Sequence, residues 1–305
     1  MSALLDDPSS SGDGFALLLG SGVLGSAISG GLRYHGRSRA RSINIPWESR
    51  VRADILERSA EAMSVTSRAR DAIVWAAGRA GFSSDKRSCE EELAAFADVV
   101  GAVEQIVEHR GPQTVSFHMV SSAGGLFEGV TRVSRDSPVT PRRPYGFMKL
   151  QQEDLALRLS TRIPVSIYRV STVYSSPRPG QRVGLIGELI RNGLDRRPIS
   201  IYGAMDTLRD YVGNEEVGRH IAQRIMSQQA PGPAIEMVIA GQPTPIAAVV
   251  DVVQRLIRRK LLVSFEDAWN ARDITFDPSI RAAGFHPEAL RVGVSRALFQ
   301  FMTTR

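Results

Sequence analysis

Apolar positions in the first 175 residues fall into short runs separated by longer stretches with helical spacing. Phe15-Ala16-Leu17-Leu18-Leu19 is the first run, and others follow at Arg39 to Ile45, Val51 to Ile55, Asp71 to Gly78, Val115 to Val120 and Pro164 to Val170. Short runs that do not alternate strictly read as strands buried on both faces. Residues 90–109, by contrast, carry apolar positions three and four apart, the pattern of an amphipathic helix. Strands and helices alternating on this rhythm predict an α/β fold with a doubly wound parallel sheet. After Tyr174 the texture changes. Ser175 to Gly184 holds two prolines, two glycines and two arginines and reads as a loop able to cross the mouth of a cleft. A helix at Leu185 to Leu194, strands at Arg196 to Tyr202 and Ile235 to Ala240, a helix at Ile246 to Leu262 and a last amphipathic helix follow. The division this suggests is a main unit at 14–175, to which 207–240 returns, and a smaller C-terminal lobe at 176–206 and 241–305.

The first apolar run leads into Gly20-Ser21-Gly22-Val23-Leu24-Gly25 and then a helix. GxGxxG between a strand and a helix is a phosphate cradle: Gly20 permits the tight turn, Gly22 lets a pyrophosphate approach the backbone, and Gly25 lets helix and strand pack closely. The start of the helix, Val23 and Leu24 included, presents unpaired N–H groups to an anion. The main unit is therefore read as a Rossmann-like dinucleotide-binding domain. No Asp or Glu occurs from Arg37 to Trp47, where an acid would hold an NAD ribose, while Arg37, Arg39 and Arg41 lie near. NAD and NADP both stay open. The run from Asp71 ends in Ala76-Ala77-Gly78, small residues against which a flat ring can lie.

Tyr145 and Lys149 are four apart and share one face of a helix. An ammonium near a phenol favours the phenolate, below its reference pKa of about 10. The pair suits proton exchange at an alcohol oxygen while a hydride moves at the carbon. The glycine turn, Ala76–Gly78, Ser122 and Thr172 all fall at the carboxyl ends of expected strands, where ligands of such sheets sit.

Composition narrows the partners. The apolar fraction of 43% belongs to a globular chain, and a single cysteine, Cys89, excludes a disulfide framework and fits a reducing compartment, the cytoplasm by default. Phe15 to Ile28 is broken by three glycines and follows an acidic start, so neither a membrane span nor an export signal is expected. The net charge of +6 is dispersed rather than gathered in one block, which disfavours nucleic acid as a partner. The five histidines show no ligand spacing, so no metal site is expected; His118 reads as a core residue, Trp47 and Trp75 as packing residues, and Arg142-Arg143 as a solvated loop.

In order, GxGxxG, Trp75-Ala76-Ala77-Gly78, Ser121-Ser122-Ala123-Gly124-Gly125, Tyr145-x-x-x-Lys149, Tyr168-Arg169-Val170-Ser171-Thr172-Val173-Tyr174 and Arg209-Asp210-Tyr211-Val212 resemble the extended short-chain dehydrogenase/reductase family, in its NAD-dependent epimerase/dehydratase branch. The resemblance covers about residues 15–300. It implies that Tyr145 is the acid/base, that Lys149 lowers its pKa and holds the nicotinamide ribose, and that Ser122 bonds the reacting oxygen, with Ser121 as fallback. It further implies that Asp54 and Ile55 flank the adenine, that Val170 borders the cofactor, and that Thr172 and Arg209 meet the substrate, Arg209 at the diphosphate of a nucleotide sugar. A homodimer through a four-helix contact is implied as well.

Three departures stand out: a first turn of GxGxxG rather than GxxGxxG, the missing acid after the second strand, and no asparagine in the helix at 90–109. Ser122 has no carboxylate after it until Glu128, which argues against a 4,6-dehydratase. An epimerase or a ketoreductase remains expected. The alternative of another class is a silent member of the fold that senses a dinucleotide or binds RNA.

Overall fold

The computed structural model describes residues 14–36, 40–48, 52–54, 56–57, 71–179, 183–227, 232–266 and 272–304. Its centre is a six-stranded sheet of β1 (Ala16–Leu19), β2 (Ala40–Ile43), β3 (Asp71–Trp75), β4 (Val115–Ser122), β5 (Pro164–Val170) and β6 (Gly232–Val238). The strand order is β6-β5-β4-β3-β1-β2 and every pairing is parallel. β1 and β3 are buried along their whole length, which is why β1, and β3 after Asp71, read as unbroken apolar runs.

Helices cover both faces. On one side α2 (Lys86–Arg110) and α3 (Pro144–Leu159) pack Phe96, Val99, Val103, Ala156 and Leu159 against Leu17, Ile73, Trp75 and Phe117. On the other, α1 (Val23–Tyr34) and α5 (Asn214–Met226) cover Ala16, Leu18, Val74 and Tyr168, with α4 (Leu185–Asp195) lying between them in sequence. A separate apolar cluster joins α4 to α6 (Ile246–Ile257) and α7 (Leu290–Thr304), together with a two-stranded parallel ribbon of Ile199–Tyr202 and Val263–Glu266.

Two expectations from the sequence need correction. The run Val51 to Ile55 does not form a strand: residues 52–54 and 56–57 are helical. Arg52 and Leu56, one helical turn apart, are buried while Ala53, Asp54 and Glu57 are exposed, and Arg52 is anchored to Asp98 at 2.5 Å. The helix expected at 90–109 begins earlier, because Asp85 caps it by accepting from the Ser88 N–H at 2.8 Å.

The amino ends of β1 and β3 are held by a buried ion pair. Asp71, fully buried, accepts from the Phe15 N–H and from Arg110, both at 2.6 Å. Asp71→Ala leaves the Arg110 guanidinium without its counter-charge and is expected to cost about 3–5 kcal/mol in a denaturant melt, the scale for breaking a buried pair.

Candidate active site

A cleft of about 630 Å³ opens at the carboxyl ends of the strands. Gly20 to Leu24 beyond β1, Ala76 to Gly78 and Ala80 beyond β3, Ser121 and Ser122 of β4, Val170 and Ser171 of β5, and Tyr145 and Lys149 of α3 all line it.

The glycine turn is sterically demanded. Gly20 has φ +114°, and a Cβ there would lie 2.5 Å from the Ala77 nitrogen; a Cβ on Gly25 would lie 2.0 Å from the Gly20 carbonyl oxygen. At Gly22 a Cβ would meet nothing within 4 Å, so the backbone there faces open space in the cleft. Gly22 is also the N-cap of α1 and offers no side chain to the first-turn N–H groups. The cradle, its uncapped helix and the volume of the cleft fit a dinucleotide. Asn44, just past β2, lines the cleft with Ile45 and Trp47, and the Ser21 hydroxyl donates to its Oδ1 at 2.5 Å. An amide thus stands where the standard acid was expected. Arg41 is exposed on β2, and Arg37 and Arg39 lie outside the described residues.

Pro144 opens α3 at a position that needs no N–H donor, placing Tyr145 in the first turn and Lys149 one turn on. The Lys149 Nζ lies 5.7 Å from the Tyr145 ring centroid. It donates to Gln152 Oε1 at 2.9 Å and to Glu92 Oε1 of α2 at 3.1 Å. Burial drives the Lys149 ammonium toward neutrality, but the Glu92 charge and hydrogen bond, with Tyr145 and Glu153, raise its pKa above the ordinary 10.5. Burial likewise pushes the Glu92 carboxyl up, and Lys149 with the Ala80 and Arg79 N–H donors outweighs it, so the carboxyl sits below its ordinary range.

The two serines part company. Ser121 donates to Glu153 Oε1 at 2.6 Å, and Arg169 grips the same carboxylate at 2.7 Å, so Ser121 belongs to a buried ion-pair network. The Ser122 oxygen caps a short helical turn at Ala123–Leu126 by accepting from the Gly125 N–H at 3.1 Å. A Cβ on Gly125 would come within 3.0 Å of the Tyr145 ring and 3.4 Å of Ser122 Oγ, which measures how closely these two groups converge.

Beside Tyr145 lies a second hollow, of about 350 Å³, lined by Phe82, Ser83, Ser84, Glu128, Arg142, Arg143, Pro144 and Arg272. Arg143 pairs with Glu128 at 2.8 Å and stacks 4.5 Å over Phe82, so it is no solvated loop residue. Arg209 donates to the carbonyls of Leu208 and Arg272, and burial lowers its pKa from the ordinary arginine value while Tyr211, Asp273 and Glu128 act the other way. Its guanidinium is held by backbone, and Arg209 is not among the residues lining either the hollow or the cleft. Thr172 is exposed, pairs in a short strand with Tyr211, and is not among the residues lining the cleft. Asp54, on the helical stretch, is exposed and likewise absent from the lining, since the strand expected to carry it does not form; Ile55 lies outside the described residues. Among the described residues no group of three or more His, Cys, Asp or Glu is arranged for a metal, and no helix is long and apolar enough to cross a membrane. His118 is buried between Tyr168 and Ser116, bonded to both.

Glu92, Asn44 and Phe82 had no reading as site residues in the sequence. Asn44 was open to discovery as the residue immediately after β2; Glu92 meets Lys149 across 57 positions, with no local signal.

Comparison with known proteins gives the family and the fold. The model of the NAD dependent epimerase/dehydratase family matches residues 14–239, and the chain belongs to that family. No curated protein matches it. Among solved structures, MoeE5 in complex with UDP-glucose and NAD is similar at 25% identity and TM-score 0.78, covering 95% of this chain and 99% of that one. MoeE5 in complex with UDP-glucuronic acid and NAD gives 23% identity and TM-score 0.78, over 96% of this chain and 100% of that one. The UDP-glucose 4-epimerase of Thermus thermophilus, in complex with NAD, shares the fold at 17% identity and TM-score 0.79, over 95% and 99% of the two chains.

Proposed function

We propose that the chain is an NAD-dependent epimerase acting at a carbinol of a nucleotide-activated sugar, with Tyr145, Lys149 and Ser122 as its catalytic set. The observation that carries this reading is the convergence of Tyr145, Lys149, Ser122 and the Gly20–Leu24 turn on one cleft. Gly20, Gly22, Val23 and Leu24 would hold the diphosphate of NAD in a turn that Gly25 lets close, Asn44 and Trp47 its adenosine end, and Ala76–Gly78, Val170 and Lys149 its nicotinamide end. Bound NAD supplies the acceptor and donor of the hydride.

The chain's own residues handle the proton and the orientation. Tyr145 takes the proton from the sugar hydroxyl and later returns one to the same oxygen. Lys149 holds a positive charge 5.7 Å from the Tyr145 ring centroid while the proton moves. Ser122 Oγ accepts from Gly125, which leaves its own proton for the reacting oxygen. The hollow beside Tyr145, with Arg142, Arg143 and Arg272, suits the sugar and an anionic group next to it. The similarity to MoeE5, whose complexes hold UDP-glucose and UDP-glucuronic acid, supports this substrate class. Ser122 has no adjacent carboxylate, and the nearby Glu153 is occupied by Ser121 and Arg169, which favours epimerisation over loss of water.

A ketoreductase is the second reading, favoured by the amide of Asn44 where an acid would select NAD. Denaturing the purified protein and identifying any released nucleotide by mass separates the two. About one NAD per chain is expected; an empty site that prefers NADPH would favour the ketoreductase, and a site that binds neither would remove the enzyme reading in favour of a silent member of the fold.

A further inference from the structure

Glu92 is a fully buried carboxylate in contact with Lys149, and it faces two ways. Its Oε1 accepts from Lys149 Nζ at 3.1 Å and from Gln152 Nε2 at 3.3 Å. Its Oε2 accepts from the Arg79 and Ala80 N–H groups, each at 2.8 Å, in the segment that follows Gly78 along the cleft. We propose that Glu92 is a positioning residue that supplies the counter-charge keeping Lys149 an ammonium, and that its two backbone bonds fix this ammonium to the cleft wall at Arg79–Ala80.

The physical ground is the burial of Lys149, whose side chain is 6% exposed against 0% for Glu92. An ammonium closed off from water is driven to neutrality by several pH units unless an opposite charge stands within a few ångströms. The other titratable groups around it are Tyr145 and Glu153 on its own helix and Cys89 on α2. Glu153 is already paired with Arg169, and the Cys89 thiol is pushed up by burial and then by Glu92, so it stays neutral. Glu92 is therefore the partner on which the charge depends. A neutral Lys149 would donate no positive field to Tyr145, and the pair would stop working as the pH rises. The consequence for catalysis rests on the proposed Tyr145 and Lys149 roles; the charge pairing itself does not.

The chain has three lysines, Lys86, Lys149 and Lys260, so a lysine-selective carbon-13 spectrum resolves Lys149 without turnover. In the native chain Lys149 is expected to titrate above the exposed Lys86 and Lys260. In Glu92→Gln it is expected to titrate below both by at least about one pH unit, with the rate failing at alkaline pH where the parent still works. If Lys149 in Glu92→Gln titrates with the exposed lysines or above them, the proposal is overturned. Should Glu92→Gln fail to fold, Glu92→Gln/Lys149→Met decides: recovery of folding shows that the uncompensated ammonium was the cause, whereas a further loss of stability contradicts it. A chain inactive on every nucleotide sugar that still shows the Lys149 shift would remove the enzymatic reading and leave the pairing intact.

Discussion

Tyr145→Phe is expected to lower turnover by about two to four orders of magnitude, the range in which general acid/base groups act. The substitution removes one oxygen and keeps the ring, so the contacts with Phe82, at 6.5 Å between centroids, and with the Gly125 backbone persist. Lys149 keeps its bonds to Glu92 and Gln152, which do not involve the phenol. Thermal melting and cofactor affinity should accordingly match the parent while the rate collapses, because only the proton exchange is lost. Monitoring single-turnover reduction of bound cofactor by absorbance isolates that step from product release. A variant that retained full rate would move the acid/base to another residue and remove the central role given to α3.

Gly25→Ala is expected to damage the fold and the cofactor site together. Its methyl would lie 2.0 Å from the Gly20 oxygen and 2.8 Å from the Gly20 carbonyl carbon, both backbone atoms that no rotamer change can move. Gly20 cannot retreat, since it is itself pressed against the backbone of Ala76 and Ala77. Helix α1 must then lift away from β1, at a cost of about 1–3 kcal/mol or more, as for overpacked cores. Cofactor affinity should drop by at least about tenfold for each 1.4 kcal/mol by which the cradle is displaced. Gly22→Ala is the informative contrast. Its methyl meets no protein atom within 4 Å, so the melt should be unchanged while binding suffers, because the methyl enters the space assigned to the diphosphate. Calorimetric titration with NAD beside thermal melts of both variants checks the pair. Equal binding by Gly22→Ala and the parent would displace the cofactor from this turn.

The parts of the molecule legible in the sequence were those with local causes. β1, β3, β4 and β5 are buried along most of their length and so appear as apolar runs, and the glycine turn shows as a six-residue motif in which Gly25 is set locally against the Gly20 carbonyl. Val51 to Ile55 was misread because a short apolar run carries no period of its own; its helix is revealed by Arg52, whose partner Asp98 lies 46 positions away. The choice between Ser121 and Ser122 turns on the pleat: neighbouring side chains of a strand point to opposite faces, and Ser121 falls on the side of Glu153. Glu92 and Arg143 were illegible for the same reason as Arg52, since charged side chains on a helix and in a loop read as solvated until a distant partner closes over them. Thr172 and Asp54 show the reverse limit. Each was assigned by correspondence with a motif, and the backbone carries both side chains outward.

The most direct test of the account is to incubate the purified protein with UDP-glucose and with UDP-glucuronic acid, without added cofactor, and to resolve the products by nuclear magnetic resonance. The expected result is conversion of one of them to a mixture of two epimers at a single ring carbon, with no net change in the redox state of the cofactor, and its abolition in Tyr145→Phe. Turnover that consumes NADPH in proportion to product, or product that has lost water, would contradict the epimerase assignment.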